Sequence, residues 1–143
     1  MTQLLLPIGW RPFVFSIRPR FLAMFRSGSK VYEFRRRRPS IKAGERHLVY
    51  ETSPTSAIVA WASIGKVLDD DPDKIWDLAG PQGGISRGEF EEYFSDPGVD
   101  GLRDRAVAIE MRMTWTEKPI ELPASMVAPQ SWARWRGPWP IAA

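Results

Sequence analysis

Gly28, Lys30, Glu33 and Arg35 stand in the pattern G-x-K-x-x-E-x-R. A glycine there can end a helix and turn the chain. It then delivers a cation, an anion and a second cation within six residues. Such a cluster at a helix-to-strand junction can hold a nucleotide: the cations take phosphate, and the carboxylate takes the amino groups of a base. The plain alternative is Glu33 paired with Arg35 or Lys30 on the surface. For catalysis, Lys30 would act as base or electrophile and Glu33 as acid or base, with burial tuning both. Because Lys30 directly follows the Gly28 stop, its side chain is expected to be partly exposed and of little consequence for stability.

Other candidates lie along the same chain. Arg36, Arg37 and Arg38 extend the basic run and can track a phosphate backbone or simply face solvent. Tyr50 and Thr52 share a strand face, with Ser53 at the turn beyond, and could stack on or hydrogen-bond a base; Tyr50 could equally be core. Gln130 and Ser131 could contact a ligand or cap a loop. His47 reads as an ordinary strand residue, and Asp69-Asp70-Asp71 as a solvated turn plus a helix cap lacking the EF-hand pattern. Trp132, Trp135 and Trp139 alternate with Arg134 and Arg136, either as a stacking platform or as a tail packed across the domain.

Composition removes several classes of function. The 143 residues contain no cysteine, which excludes disulfides, Fe–S clusters, thiolate zinc and a cysteine nucleophile. A single histidine excludes any two-histidine metal site, and neither a metal nor a cofactor is expected. No run of 18 apolar residues exists to span a membrane. Residues 1–12 read as an N-terminal extension without a basic leader, and the cytoplasm is the expected compartment. The net charge of +3 hides a strong asymmetry: residues 1–50 carry 11 Lys/Arg against two acids, and residues 51–143 carry 9 against 15. Arg18 and Arg35–Arg38 are therefore expected to form a positive face.

These residues need elements to position them. Phe13–Ile17 reads as a strand and Pro19–Ser27 as a short helix stopped by Gly28. Residues 30–36, 46–52 and 57–68 read as strands, the last apolar on both faces with Gly65 marking a bulge or bend. Asp71-Pro72 opens a helix, and Ser86-x-x-Glu89 a second one through a capping box. Residues 105–117 alternate cleanly, with Val107, Ile109, Met111 and Trp115 inward. With no helix between the middle strands, the expected fold is α+β: a small curled barrel of about five to six strands with short helices at its ends. Alternation would put Lys30 and Glu33 on opposite faces, unless Lys30 precedes the regular strand or a bulge intervenes.

G-x-K-x-x-E-x-R resembles the signature of the ASCH family, small proteins related to the PUA RNA-binding fold. Ser16-Ile17-Arg18-Pro19, Phe34-Arg35-Arg36-Arg37-Arg38-Pro39, Leu48–Pro54, Gly84–Phe90 and Pro129-Gln130-Ser131-Trp132 extend the likeness from about Phe13 to Trp132. The resemblance implies a PUA-like domain over 13–132, followed by a tail over 133–143. It implies a cleft beside the first helix that binds RNA, a nucleotide or a nucleoside through Lys30 and Glu33, with Arg35 in support. Some members are amidohydrolases of acetylcytidine that use the motif lysine and a threonine three residues later; here that position is Glu33. Others are ribonucleases. The leading expectation is an RNA- or nucleoside-binding module, monomeric and away from membranes. The alternatives are a small hydrolase of RNA or modified nucleosides and a protein-interaction module using the acidic helical insertion.

Overall fold

A computed structural model describes residues 10–139. Six strands form one sheet in the order β2-β5-β4-β3-β1-β6. They are β1 (Phe13–Ile17), β2 (Tyr32–Arg35), β3 (Arg46–Glu51), β4 (Ala57–Asp70), β5 (Ala106–Ile120) and β6 (Trp132–Arg134). Only β1 and β3 pair in parallel; all other neighbours are antiparallel. Three short helices complete the fold: α1 (Pro19–Ser27), α2 (Pro72–Ala79) and α3 (Arg87–Tyr93).

The two longest strands curl the sheet. The β4–β5 register shifts between Ile58 and Ala60 and again between Ile64 and Val67, the second shift falling at the expected bend at Gly65. A Cβ at Gly65 would collide with the Glu110 carboxylate, which itself accepts the Lys66 N–H. The result is the expected α+β fold with a curled six-stranded sheet, but the barrel is a half-barrel, with β2 and β6 as its free edges.

Three apolar layers hold it. Phe13, Phe15, Ile17, Val49, Ala60, Ile64, Val107, Ile109 and Met111 fill the barrel, with Leu22 from α1 and partly buried Trp115, as the alternation of β5 required. The opposite face of β2 and β5, through Phe34, Ala106 and Ala108, packs on Ile75, Ala79, Phe90 and Phe94 of the α2–α3 insertion. The outer face of β1, β3 and β4 is covered by Met126, Trp135 and Trp139. The tail expected after residue 132 thus begins inside β6, with Trp135 buried in this layer and Trp139 packed half-buried against it. Most of the N-terminal extension lies outside the described residues.

Local signals set the helix ends. Gly28 adopts φ 82° and its N–H closes α1 onto Met24 and Phe25. Asp71 caps α2, while Asp69 and Asp70 belong to the end of β4 rather than to a turn. Ser86 and Glu89 form the capping box of α3. Among the described residues, no helix is long and apolar enough to cross a membrane.

Candidate functional site

Lys30 follows α1 and precedes β2, so strand parity does not govern it. Its backbone N–H still bonds Met24 O in the helix stop, and the next N–H, of Val31, reaches Gln82 O. The side chain runs beneath the segment after α2. There its ammonium donates to Tyr32 O and Gly83 O, each at 2.6 Å, and lies 3.4 Å from Glu33 Oε1. An ammonium has three protons, and three acceptors surround this one. Phe21, Phe25 and Phe34 present their rings 5.1–5.5 Å from Nζ. Burial pulls the lysine pKa below its ordinary value, against the pull of Glu33. Gly84 must be glycine: its φ is +76°, and a Cβ would lie 2.8 Å from Met24 Sδ and 3.0 Å from Lys30 Cδ.

The side chain is 2% exposed, which corrects the expectation of a partly exposed lysine. The cover comes from Gly83 and Gly84, more than fifty residues further along the chain, and nothing in the spacing of the motif could announce it.

Glu33 and Arg35 alternate onto the same face of β2, each 7% exposed. Glu33 Oε2 accepts from Arg35 Nη2 at 2.8 Å. The pair is therefore buried beside Lys30, in the order Lys30–Glu33–Arg35, not on the surface. Arg35 Nη2 also donates to Ser16 O at 3.0 Å, and its Nη1 to Ser131 Oγ at 2.8 Å. One guanidinium thereby links edge β2 to β1 and to the residue before β6, across the open seam of the sheet. An arginine only donates, so Ser131 Oγ accepts and keeps its own proton for another partner.

Above this row opens a cleft of about 860 Å³, lined by Lys30, Glu33, Arg35, Arg36, Gln130 and Ser131. It lies within the size range of small-molecule sites. Arg18, Arg20 and Phe21 of the α1 region and Tyr93 of α3 also line it, as do the acids Glu89, Glu92 and Asp96. Arg20 is neutralised by Glu89, which it meets at 2.9 Å. Arg18, Arg36, Arg37 and Arg38 form no ion pair among the described residues. Arg36 instead donates Nε to Tyr93 O and stacks 4.3 Å over the Tyr93 ring. The Tyr93 hydroxyl donates to Phe34 O, and burial raises its pKa. Asp96 pairs with Arg103 at 3.6 Å, which leaves Glu92 as the acid of these three outside any ion pair among the described residues; with Arg18 and Arg36 it suits a ligand that carries phosphate at one end and an N–H donor at the other.

Other candidates lie elsewhere. Tyr50 is buried with Val14, Leu48, Ile58, Met126 and Trp135, on the sheet face that the tail covers, so it does not reach the cleft. Thr52 lies in the turn after β3, not on a strand face with Tyr50, and donates its N–H to Ile17 O; neither it nor Ser53 lines the cleft. His47 is a buried packing residue: its Nδ1 accepts from Phe13 N at 2.9 Å, and its Nε2 faces Glu45 at 3.1 Å. No metal-holding group of His, Asp and Glu occurs among the described residues. The sequence reading missed Phe21 and Tyr93, taken as core; both pack apolar surface and line the cleft at once. Adjacency to Arg18 and to the acidic end of α3 is the only signal that marked them.

No protein-family model matches the chain. It is 28% identical over 129 residues to a protein of Zymomonas mobilis named an ASCH domain-containing ribonuclease, a match covering 85% of this chain and 83% of that one. The crystal structure of ASCH from Zymomonas mobilis aligns with a TM-score of 0.74 at 26% identity, over 88% of each chain. A tyrosine-to-phenylalanine variant of that protein aligns with the same score, over 89% of this chain and 91% of its own.

Proposed function

We propose that the chain is an ASCH domain that binds single-stranded RNA, seating one nucleotide in the cleft above Lys30, Glu33 and Arg35. One observation carries this reading: the motif row forms the floor of an 860 Å³ cleft whose lining and surroundings hold arginines without carboxylate partners. Arg18 and Arg36 take phosphate oxygens. Ser131, its oxygen already occupied by Arg35, donates to an acceptor on the base or sugar. Glu92 faces an exocyclic amino or imino group. Arg35 acts behind Ser131 and Glu33 as a positioning residue. RNA as ligand agrees with the cytoplasmic location expected from the sequence. The test is a titration of labelled single-stranded RNA at two salt concentrations, comparing the natural protein with Arg36→Ala and Ser131→Ala. Weaker binding in both variants, with a smaller salt dependence for Arg36→Ala alone, supports the reading.

A second reading, cleavage of that RNA, is favoured by the name of the Zymomonas mobilis relative, which matches along most of both chains. In this version Glu33 takes the proton of the ribose 2′-hydroxyl as that oxygen bonds to the adjacent phosphorus and the P–O5′ bond breaks, and the proton passes on to the departing 5′-oxygen. The Lys30 ammonium is committed to Tyr32 O and Gly83 O, so its part is to hold Glu33 in place. Incubation with a ribo-oligonucleotide and with its 2′-O-methyl counterpart separates the readings: cleavage of the first alone indicates the ribonuclease, and intact binding of both indicates the module.

A further inference from the structure

A second, smaller cavity of about 260 Å³ adjoins the cleft, lined by Arg36, Arg37, Tyr93, Arg103, Ser131 and Trp132. Three of these residues, Arg36, Tyr93 and Ser131, line both cavities. Three guanidinium groups thus meet around one concavity. Arg36 and Arg37 form no ion pair among the described residues, and Arg103 pairs with Asp96 at 3.6 Å, a distance too long for a hydrogen bond. Arg37 lies 5.2 Å over the Trp132 ring, as Arg36 lies over Tyr93, so the aromatic faces hold both forks in place. Trp132 is itself fixed by β6, where it pairs with Phe15.

Asp96 offsets Arg103 alone, so the adjacent Arg36 and Arg37 repel each other unless a further anion joins them. The volume falls below the usual range for a whole small-molecule ligand but has room for a phosphate and part of its sugar. The shared wall makes the two cavities continuous at Ser131 and Arg36. We propose that this pocket is a second subsite, taking the phosphodiester that follows the nucleotide seated in the main cleft. The inference rests on the RNA reading above and sharpens it: the ligand is a chain running from the cleft over Ser131 towards Trp132, not a free nucleoside.

The test uses a 2′-O-methyl RNA hexamer of mixed sequence, which cannot be cut through its 2′-oxygen. Its affinity is measured for the natural protein and for Arg37→Gln, Arg103→Gln and Arg38→Gln, each checked by thermal melting. Arg38 is exposed, like Arg37, but lines neither cavity. The expected result is a loss of roughly tenfold for Arg37→Gln and for Arg103→Gln. Each should also reduce the salt slope by about 0.7 to 1, with Arg38→Gln changed by less than about twofold. If the hexamer binds and the three variants match the natural protein, the subsite is refuted and the cleft reading stands. Equal losses in all three, Arg38→Gln included, also refute it in favour of a diffuse basic surface. If the hexamer does not bind the natural protein at low salt, the subsite and the RNA reading both fail.

Discussion

Arg35 reaches Ser131 across the open seam of the sheet, its Nη1 donating to the serine Oγ at 2.8 Å. The same side chain holds Glu33 at 2.8 Å and Ser16 O at 3.0 Å, so one residue both joins the two sheet edges and sets the cleft floor. Structure and site are therefore coupled at this position.

Arg35→Ala leaves Glu33 buried with one cationic partner fewer and opens the seam between β2 and β6. A loss of about 3–5 kcal/mol is expected, the range for breaking a buried ion pair by removing one side. Arg35→Lys should recover only part of it, because an ammonium cannot span Ser131, Ser16 and Glu33 as the planar fork does. Urea denaturation checks both; a loss under about 1 kcal/mol for Arg35→Ala would place it among ordinary surface changes.

Lys30→Ala should behave as a core lesion. It strands the carbonyls of Tyr32 and Gly83 and removes a neighbour of Glu33, for about 3–5 kcal/mol. Arg36→Ala, an exposed change, should stay within about 0.5 kcal/mol of the natural stability while weakening RNA binding. Melting curves and RNA titrations on the same two variants give the comparison. A stable Lys30→Ala protein that has lost RNA affinity would return the lysine to direct ligand contact.

That reversal shows how far the residues could be read in sequence. The spacing of Gly28, Lys30, Glu33 and Arg35 was enough to group them, because helix stop and strand are local. The alternation of Val107, Ile109 and Met111, the ends of α1 and the Ser86–Glu89 box were legible for the same reason. The burial of Lys30 was not, since its cover folds back from Gly83 and Gly84. Nor was the place of Tyr50: aromatic residues suit a core and a stacking site equally, and the choice depended on where Met126 and Trp135 settle. The three residues of β6 are too short a run to stand out from a tryptophan-rich tail.

His47 should make the protein acid-sensitive. Its Nδ1 accepts the Phe13 N–H, and a proton there would break that bond. Burial holds its pKa below the ordinary 6.5 despite Glu45. The unfolded chain therefore binds the proton first, so this contribution is complete above pH 6.5 and falls as pH drops from 6.5 towards the folded value. Melting temperature measured from pH 7.5 to 5 should decline over that window, and less steeply in His47→Asn, whose amide oxygen can still accept from Phe13. Equal slopes in both proteins would assign the decline to other groups.

The central claim is that RNA is held by the cleft and its arginines. The most direct measurement is the affinity of a labelled single-stranded RNA across a range of salt concentrations, for the natural protein and for a protein carrying Arg18→Ala and Arg36→Ala together. With three to four phosphates engaged, the natural protein should lose affinity with a log–log slope of about −2 to −3, and the double variant should retain a slope near −1. Identical slopes and affinities in the two proteins would contradict the account.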